Sequence, residues 1–332
     1  MLVHLLSAFP VPPAWPQNFA HLWLGESARE DPFGIHQVTD DPATADLILF
    51  VEQHPPQDPY ALSILWHPVY RRYRDKCFLY HDADYAVAVI RGIYPSIRHR
   101  DYQAERCRSG GYIARLVPND AIRYEPVVGP PQWLYSFFGA ANSPVRRTLL
   151  GRPHPQGLIR DSTGKNLWEL SPEAKVAFMR EYAEAIRDSQ FVLCPGGIGP
   201  VTYRLFETME MGRVPVIISD EWVPPHGPAW EEFSLRIPEN RLTTLEALLA
   251  EHAPRHEEMG RKARLAWEQW YAKPACFHRM VEQCLELKAV RPGLFSALRA
   301  WCALLRAPHL RTWLRPFYHA GKRRVKSAVQ RS

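Results

Sequence analysis

No Cys-x-x-Cys pair occurs among the six cysteines, Cys77, Cys107, Cys194, Cys276, Cys284 and Cys302, which argues against a structural zinc site. The thiols read as those of a reducing compartment, although an even number leaves disulfides open. No run of about 18 apolar residues is present, so nothing reads as a membrane span. The opening MLVHLLSAFPVPP lacks a basic region, and His4 interrupts its apolar run; it reads as a first strand rather than a secretory signal. Internal repeats are absent. No acid occurs after Glu286, and every charge from Arg291 to Arg331 is basic. That segment accounts for much of the net charge of +6, leaving a near-neutral body. Nucleic-acid proteins usually spread basic charge over a binding face, so no nucleic-acid partner is expected. The 14 histidines read as surface, loop or packing residues, and no metal is assigned to them.

What is present fits a globular α/β protein. Hydrophobic residues make up 46% and charged residues 23% of the 332 positions, an ordinary globular balance that at this length suggests two domains. Prolines cluster at 10–16 and 54–59, predicting long ordered loops. Short apolar runs at Leu2–Leu6, Asp46–Val51 and Cys77–Tyr80 predict strands buried on both faces. Ala20–Leu24 and His67–Arg74 are the helical candidates of this half. After Pro126–Pro131 the alternation becomes regular. Trp133–Gly139 reads as a strand, and Pro144 opens a helix through Leu150. Ser171-Pro172-Glu173 is a cap, a first-position proline and a first-turn acid. Phe191–Cys194, Val214–Ser219 and Phe233–Ile237 read as strands. Pro200–Met211, Thr244–Glu251 and Arg255–Tyr271 read as helices. This order implies parallel sheets covered by helices on both faces, with a ligand site at the carboxyl ends of strands in a cleft between two halves. The boundaries expected are 1–130, 131–290 and a basic amphipathic helical tail at 291–332.

The segment from Phe191 to Pro225, FVLCPGGIGPVTYRLFETMEMGRVPVIISDEWVPP, carries the chemistry. Its strand ends at Pro195, Gly196 and Gly197, where two glycines permit a sharp turn and close approach of a ligand. A helix start follows, whose free N–H groups suit a diphosphate. Thr202 and Tyr203 offer hydroxyls there. Arg204 and Glu207, three apart, share a helix face, opposite a stripe of Val201, Leu205 and Met209. The arginine suits a phosphate and the glutamate a pair of vicinal hydroxyls. Taken alone, such a pair is most often a solvated surface pair of little energetic weight. Asp220 ends the next strand.

These residues resemble the exostosin family of glycosyltransferases, glycosyltransferase family 47. The resemblance rests on FVLCPGG, on Arg204–Glu207 (RLFE) and on GRVPVIISDEWVPP. Tyr135–Gly139 (YSFFG) followed by Pro144-Val-Arg146, and Gly92–Ile97 (GIYPSI), also resemble it. It implies a GT-B fold, with two Rossmann-like domains facing a central cleft. It implies an inverting transferase that moves a sugar from a nucleotide donor, usually UDP-linked, to a glycan hydroxyl. On that resemblance Arg204 faces the diphosphate, Glu207 the ribose or base, and Pro195, Gly196 and Gly197 form the donor loop. Many members carry a basic residue after the loop proline; here Gly196 and Gly197 stand there, and Arg146 or Arg160 is expected to compensate. Animal members have a membrane anchor and a lumenal location. Without them this chain is expected on the cytoplasmic side, peripheral on the inner face of the plasma membrane.

Inversion needs a base for the acceptor proton. The first choices are Asp82 and Asp84, after the Cys77–Tyr80 strand, and the second is Glu52, after the Leu47–Val51 run. A loop aspartate that caps a turn is an equally ordinary reading. Asp82-Ala83-Asp84 also imitates the DxD of metal-dependent transferases, a pair able to hold a divalent ion against a diphosphate. A helix start with arginines replaces that ion in the reading adopted, so metal independence and no cofactor are expected. The expected partners are a nucleotide-sugar donor and a glycan or lipid-linked glycan acceptor. An anionic membrane surface is a further candidate partner, through the Leu/Trp/Phe and Arg alternation of 291–332, which includes Leu294, Leu298, Trp301, Leu305, Leu310, Trp313, Leu314 and Phe317. The alternative for that tail is a closing helix packed on the N-terminal domain. Two other function classes stay open: a non-catalytic nucleotide-sugar or glycan-binding protein, and another sugar-nucleotide enzyme such as an epimerase.

Overall fold

A computed structural model describes residues 1–9, 18–53, 55, 58–114, 118–126, 129–167 and 169–314. The chain forms two compact units, Met1–Ile113 with Cys276–Ser332, and Ala114–Ala275. The divisions expected after residues 130 and 290 differ from these. Loop residues such as Tyr124 pack with the second unit, where Arg264 stacks on the Tyr124 ring. The helix ending at Ala289 belongs mostly with the first.

The first unit is built on six strands: β1 (Leu2–Leu6), β2 (Gln37–Val38), β3 (Leu47–Glu52), β4 (Cys77–His81), β5 (Gly92–Ile93) and β6 (Cys107–Arg108). Their order is β2-β1-β3-β4-β5-β6, and every pairing is parallel. β3 and β4 are buried at every residue, as strands covered on both faces must be. α1 (Phe19–Glu30) connects β1 to β2; Asn18 caps it by accepting from the His21 N–H. α2 (Pro68–Arg72) precedes β4 and is shorter than the expected 67–74.

The second unit repeats the plan. β7 (Trp133–Gly139) leads through α3 (Pro144–Leu150) to β8 (Gly157–Asp161), and α4 (Pro172–Arg187) leads to β9 (Ser189–Pro195). α5 (Tyr203–Glu210) then leads to β10 (Val214–Ile218), and α6 (Trp230–Phe233) to β11 (Leu235–Arg236). α7 (Leu245–His252) and α8 (His256–Trp270) close the unit. The sheet order is β11-β10-β9-β7-β8, again all parallel. Ser171 caps α4 as expected, accepting from the Ala174 N–H. Phe137, Phe191, Leu193, Val216, Leu245 and Leu249 are among the residues of its core.

Three local expectations need correction. The helix placed at Pro200–Met211 begins at Tyr203, with Thr202, still extended, as its cap. The strand placed at Phe233–Ile237 is the end of α6 followed by only two paired residues. A 17-residue helix, α9 (Lys273–Ala289), was not anticipated. It packs on the first unit, where Ser27 Oγ accepts from the Phe277 N–H at 2.8 Å and Arg91 donates to the Leu287 carbonyl.

The chain ends, among the described residues, on α10 (Leu294–Leu304) and a further helical stretch to Leu314. Ala300, Ala303 and Leu304 pack on Tyr60, Leu62, Val87 and Val89 of the first unit. The Asp101 carboxylate accepts from Arg306 and from His309 Nε2 (3.0 Å), and Tyr60 meets His309 Nδ1 at 2.9 Å. The tail expectation at Phe317 lies outside the described residues. All six cysteines are free. No helix among the described residues is long and apolar enough to cross a membrane.

Candidate functional site

In a doubly wound sheet of order 2-1-3-4-5 a crevice opens between the first and third strands, because their connections leave on opposite faces. Both units of this chain have that order, and the candidate residues gather at both openings.

In the second unit the opening lies between the carboxyl ends of β7 and β9. The turn after β7 ends at Ser143, which caps α3 and donates from Oγ to the Gly196 carbonyl at 2.8 Å. This ties the two loops together. Arg146, in the first turn of α3 and buried, donates from Nη2 to the Pro195 carbonyl at 3.3 Å. A Cβ placed on Gly197 would lie 2.9 Å from Arg146 Nη2 and 3.1 Å from its Cζ. The guanidinium therefore fills the space in which a side chain at position 197 would stand. A Gly197→Ala exchange is expected to push the guanidinium out of place. It should weaken binding of a diphosphate ligand about tenfold with little change in melting temperature, as calorimetric titration and thermal melting would show.

Arg204 and Glu207 lie on one face of α5, as their spacing requires, but that face is not solvated. Both are buried, together with every residue between them, because α5 packs against β9 and β10 and against α8. Arg204 donates from Nη2 to the Phe138 carbonyl and from Nη1 to that of Leu193, at 3.5 Å. Its guanidinium stands 4.9 Å from the Phe137 ring centroid and 5.7 Å from that of Tyr182, within cation–π range. One cation thus holds the last turns of β7 and β9 in register. Glu207 Oε2 accepts from the Tyr182 hydroxyl at 2.5 Å. Burial first, and then the adjoining Glu207 carboxylate, raise the Tyr182 phenol well above its ordinary range, so it stays a donor. Thr202 caps α5 without a side-chain capping bond, and its buried Oγ1 has no hydrogen-bond partner among the described residues. The Tyr203 hydroxyl is buried beside it in the chain.

Two expected residues are engaged elsewhere. The Asp220 carboxylate accepts from the Glu239 N–H while Glu239 accepts from the Asp220 N–H, both at 3.2 Å, a reciprocal clasp on a turn. Arg160, on β8, lies 3.6 Å from Glu181, so of the two compensating arginines only Arg146 reaches the glycine loop.

In the first unit the crevice lies between β1 and β3, and Glu52 occupies it. Its side chain is 1% exposed. Oε1 accepts from the Ala8 N–H at 2.5 Å and Oε2 from Ser7 Oγ at 3.1 Å. Asn18 braces the same corner, donating to Ser7 Oγ and to the Val51 carbonyl, while Gln53 Oε1 accepts from the Phe19 N–H that opens α1. Burial outweighs these bonds and raises the Glu52 carboxyl from 4.5 to about 7. Its register partner on β4 is His81. Asp82, fully buried, follows β4, and Asp84 is half-buried. Burial first, and then the two carboxylates, raise the phenol of Tyr112, itself 2.7 Å from Ser96 Oγ. The Asp82 and Asp84 pair is not part of the one grouping with metal-ligand spacing among the described residues. That grouping is His36, His278 and Glu282, whose ligand atoms lie within 4.8 Å of one another. A His36–Glu282 hydrogen bond of 2.7 Å and a 4.1 Å stack of His278 on Phe33 account for its packing.

Sequence reasoning missed Ser143, Phe137 and Tyr182 as parts of the site. Ser143-Pro144 does carry a cap signature, and that signal would have located the first of them.

Comparison with known proteins bears on the second unit above all. Residues 124–252 match the exostosin GT47 domain, a span that contains Arg146, the glycine loop, Arg204 and Glu207. The chain is 34% identical over 194 residues to the "Probable glucuronosyltransferase GUT1" of Oryza sativa subsp. japonica, covering 52% of this chain and 43% of that protein. It is 31% identical over 93 residues to the "Exostosin-1 homolog" of Caenorhabditis elegans, covering 27% of this chain and 24% of that one. The alignments span less than half the length of these relatives. Among solved structures, Anabaena Alr3699/HepE in complex with UDP aligns over 86% of this chain and 99% of that chain, at 12% identity and a TM-score of 0.40.

Proposed function

We propose that this chain, whose residues 124–252 carry the exostosin GT47 domain, is an inverting, metal-independent glycosyltransferase. It moves a sugar from a UDP-linked donor to a hydroxyl of a glycan or lipid-linked glycan, in surface or exopolysaccharide synthesis at the cytoplasmic face of the plasma membrane. The observation that supports this most is the coincidence of that domain match with the β7/β9 crevice and its buried arginines.

In this reading the donor diphosphate lies over the Gly196-Gly197 turn. It takes charge from Arg146, a hydrogen bond from the Thr202 hydroxyl, and the N–H groups that open the eight-residue α5. These donors are fixed before the reaction, so the negative charge that grows on the leaving diphosphate is met without reorganisation. Arg204 acts one step back, holding the ends of β7 and β9 so that the turn keeps its shape. Glu207, oriented by Tyr182, accepts from donor hydroxyls. Glu52 takes the acceptor proton. A carboxylate that titrates near 7 is a stronger base than an ordinary one and is ionised above about pH 7. Its place in the crevice between β1 and β3 favours it over Asp82 and Asp84, which follow β4.

The test is a binding and transfer screen of the purified protein with UDP-sugars. UDP-glucuronic acid comes first, since several relatives are named glucuronosyltransferases. Binding is expected to fall about a hundredfold in Arg146→Ala, and turnover to survive a chelator. Failure to bind any UDP-sugar would reject the donor site; loss of turnover in chelator, restored by manganese, would reject metal independence. Donor binding with neither transfer nor hydrolysis would favour the non-catalytic alternative.

A further inference from the structure

We infer that α10 is a docking element for an anionic lipid surface, through an apolar stripe that faces away from the protein body to which it belongs. A helix apolar on all sides is ordinarily buried on all sides. α10 is apolar on two opposite sides and buried on one. Ser296, Ala300, Ala303 and Leu304 form the buried side, of which the last three pack on the first unit. Leu294, Leu298, Trp301 and Leu305 recur at intervals of four, three and four residues, which aligns them in one row half a turn round the axis from the docked face. They are 89%, 60%, 44% and 66% exposed, and Phe295 beside them is 87% exposed.

Small residues sit where the helix meets the protein, and large ones point outward. A closing helix has the reverse arrangement. The helix is also anchored at both ends, by the Gly293 N–H on Glu105 Oε2 and by Arg306 and His309 on Asp101. The stripe is therefore presented on a fixed base. Packing on the first unit and a membrane role, which the sequence offered as alternatives, describe opposite faces of one helix.

Charge names the occupant. Arg291, Arg299 and Arg311 are exposed around the stripe, while Arg306 is paired with Asp101, and no acid occurs anywhere from residue 291 to 332. Leucine, phenylalanine and tryptophan flanked by arginine, with no acid in the segment itself, suit the interface of a bilayer rich in acidic headgroups. A second copy of this chain would bring the same positive charge against itself. The stripe does not draw on the donor site, so its role stands apart from the proposed transfer reaction.

The test is flotation of the full chain with vesicles of equal parts phosphatidylglycerol and phosphatidylcholine. Binding is expected to drop at least tenfold with phosphatidylcholine alone, and to weaken at high salt. It is also expected to drop at least tenfold in the double variant Leu298→Asp with Trp301→Asp. Both positions are exposed, so melting temperature and UDP-sugar binding should hold, and those two readouts separate loss of docking from loss of fold. The inference fails if the chain does not float with acidic vesicles, or if the double variant floats as the parent does. It fails too if the variant instead dissociates a dimer in sedimentation, for the stripe would then belong to a second copy.

Discussion

Glu52→Gln is expected to lower turnover by roughly a hundred- to ten-thousand-fold and, at the same time, to make the protein more stable at pH 8. The two effects have one origin. The folded chain holds Glu52 at about 7 against an ordinary 4.5, chiefly by burial. Between those two values the folded chain keeps a proton that the unfolded chain has released. Stability therefore falls as pH rises through this window and stays lowered above about 7. At about 1.4 kcal/mol per unit, the penalty at pH 8 is on the order of 3 kcal/mol. Glutamine removes the charge but keeps one acceptor for the Ala8 N–H, so a net gain of about 1–2 kcal/mol is expected. Below about pH 4.5 the gain should vanish, since the parent carboxyl is then neutral in both states. Thermal melting across pH and a kcat/KM profile measure both effects. The parent profile should rise with pH through about 7, and the same inflection should be missing from the residual activity of the variant. A variant that loses stability at pH 8, or keeps its turnover, would remove Glu52 from the base position.

Arg204→Ala is expected to cost about 3–5 kcal/mol. The guanidinium is buried between Phe137 and Tyr182, and its removal leaves the Phe138 and Leu193 carbonyls without this donor. At roughly 2–4 °C per kcal/mol for a unit of this size, the melting temperature should drop by about 6–20 °C. Arg204→Lys should recover less than half of this, because a single ammonium cannot reach two carbonyls in the fork geometry of arginine. Donor affinity is then measured well below the lowered transition. If Arg204→Ala melts like the parent yet loses donor affinity, Arg204 touches the ligand directly and does not act through the strand ends.

The longer strands were legible because burial on both faces writes an unbroken apolar run, as at Leu47–Val51 and Phe191–Cys194. β2, β5 and β6 were not, and β11 is the two-residue remnant of the strand expected over Phe233–Ile237. Each pairs over two residues, too few for any periodicity, and their place is set by main-chain bonds to neighbouring strands. α9 does carry a buried stripe of Phe277, Val281, Cys284 and Leu287. Its cysteines and histidine blur that stripe, and no cap precedes it.

At the site, helical spacing put Arg204 and Glu207 on one face but had no means to say which way the face points. That depends on α8, which covers α5 from about 50 residues away in the chain. Glu52 was legible as an acid at a strand end. Its raised carboxyl was not, because the residues that enclose it, Ser7 and Ala8, lie 45 and 44 positions earlier in the chain.

The division of the chain into units has a consequence for synthesis. The first unit is discontinuous: it is made of Met1–Ile113 and a segment that starts at Cys276. A growing chain has released all of the second unit before Cys276 and the rest of α9 leave the ribosome. The second unit can then fold while the first sheet waits, still lacking the helix whose Phe277, Val281 and Leu287 are fully buried on it. Domains fold as units during translation, and exposed sheet surface invites aggregation. The segment made after the second unit therefore completes the unit made before it, and a ribosome that stalls after Ala275 would leave a finished second unit attached to an unfinished first one.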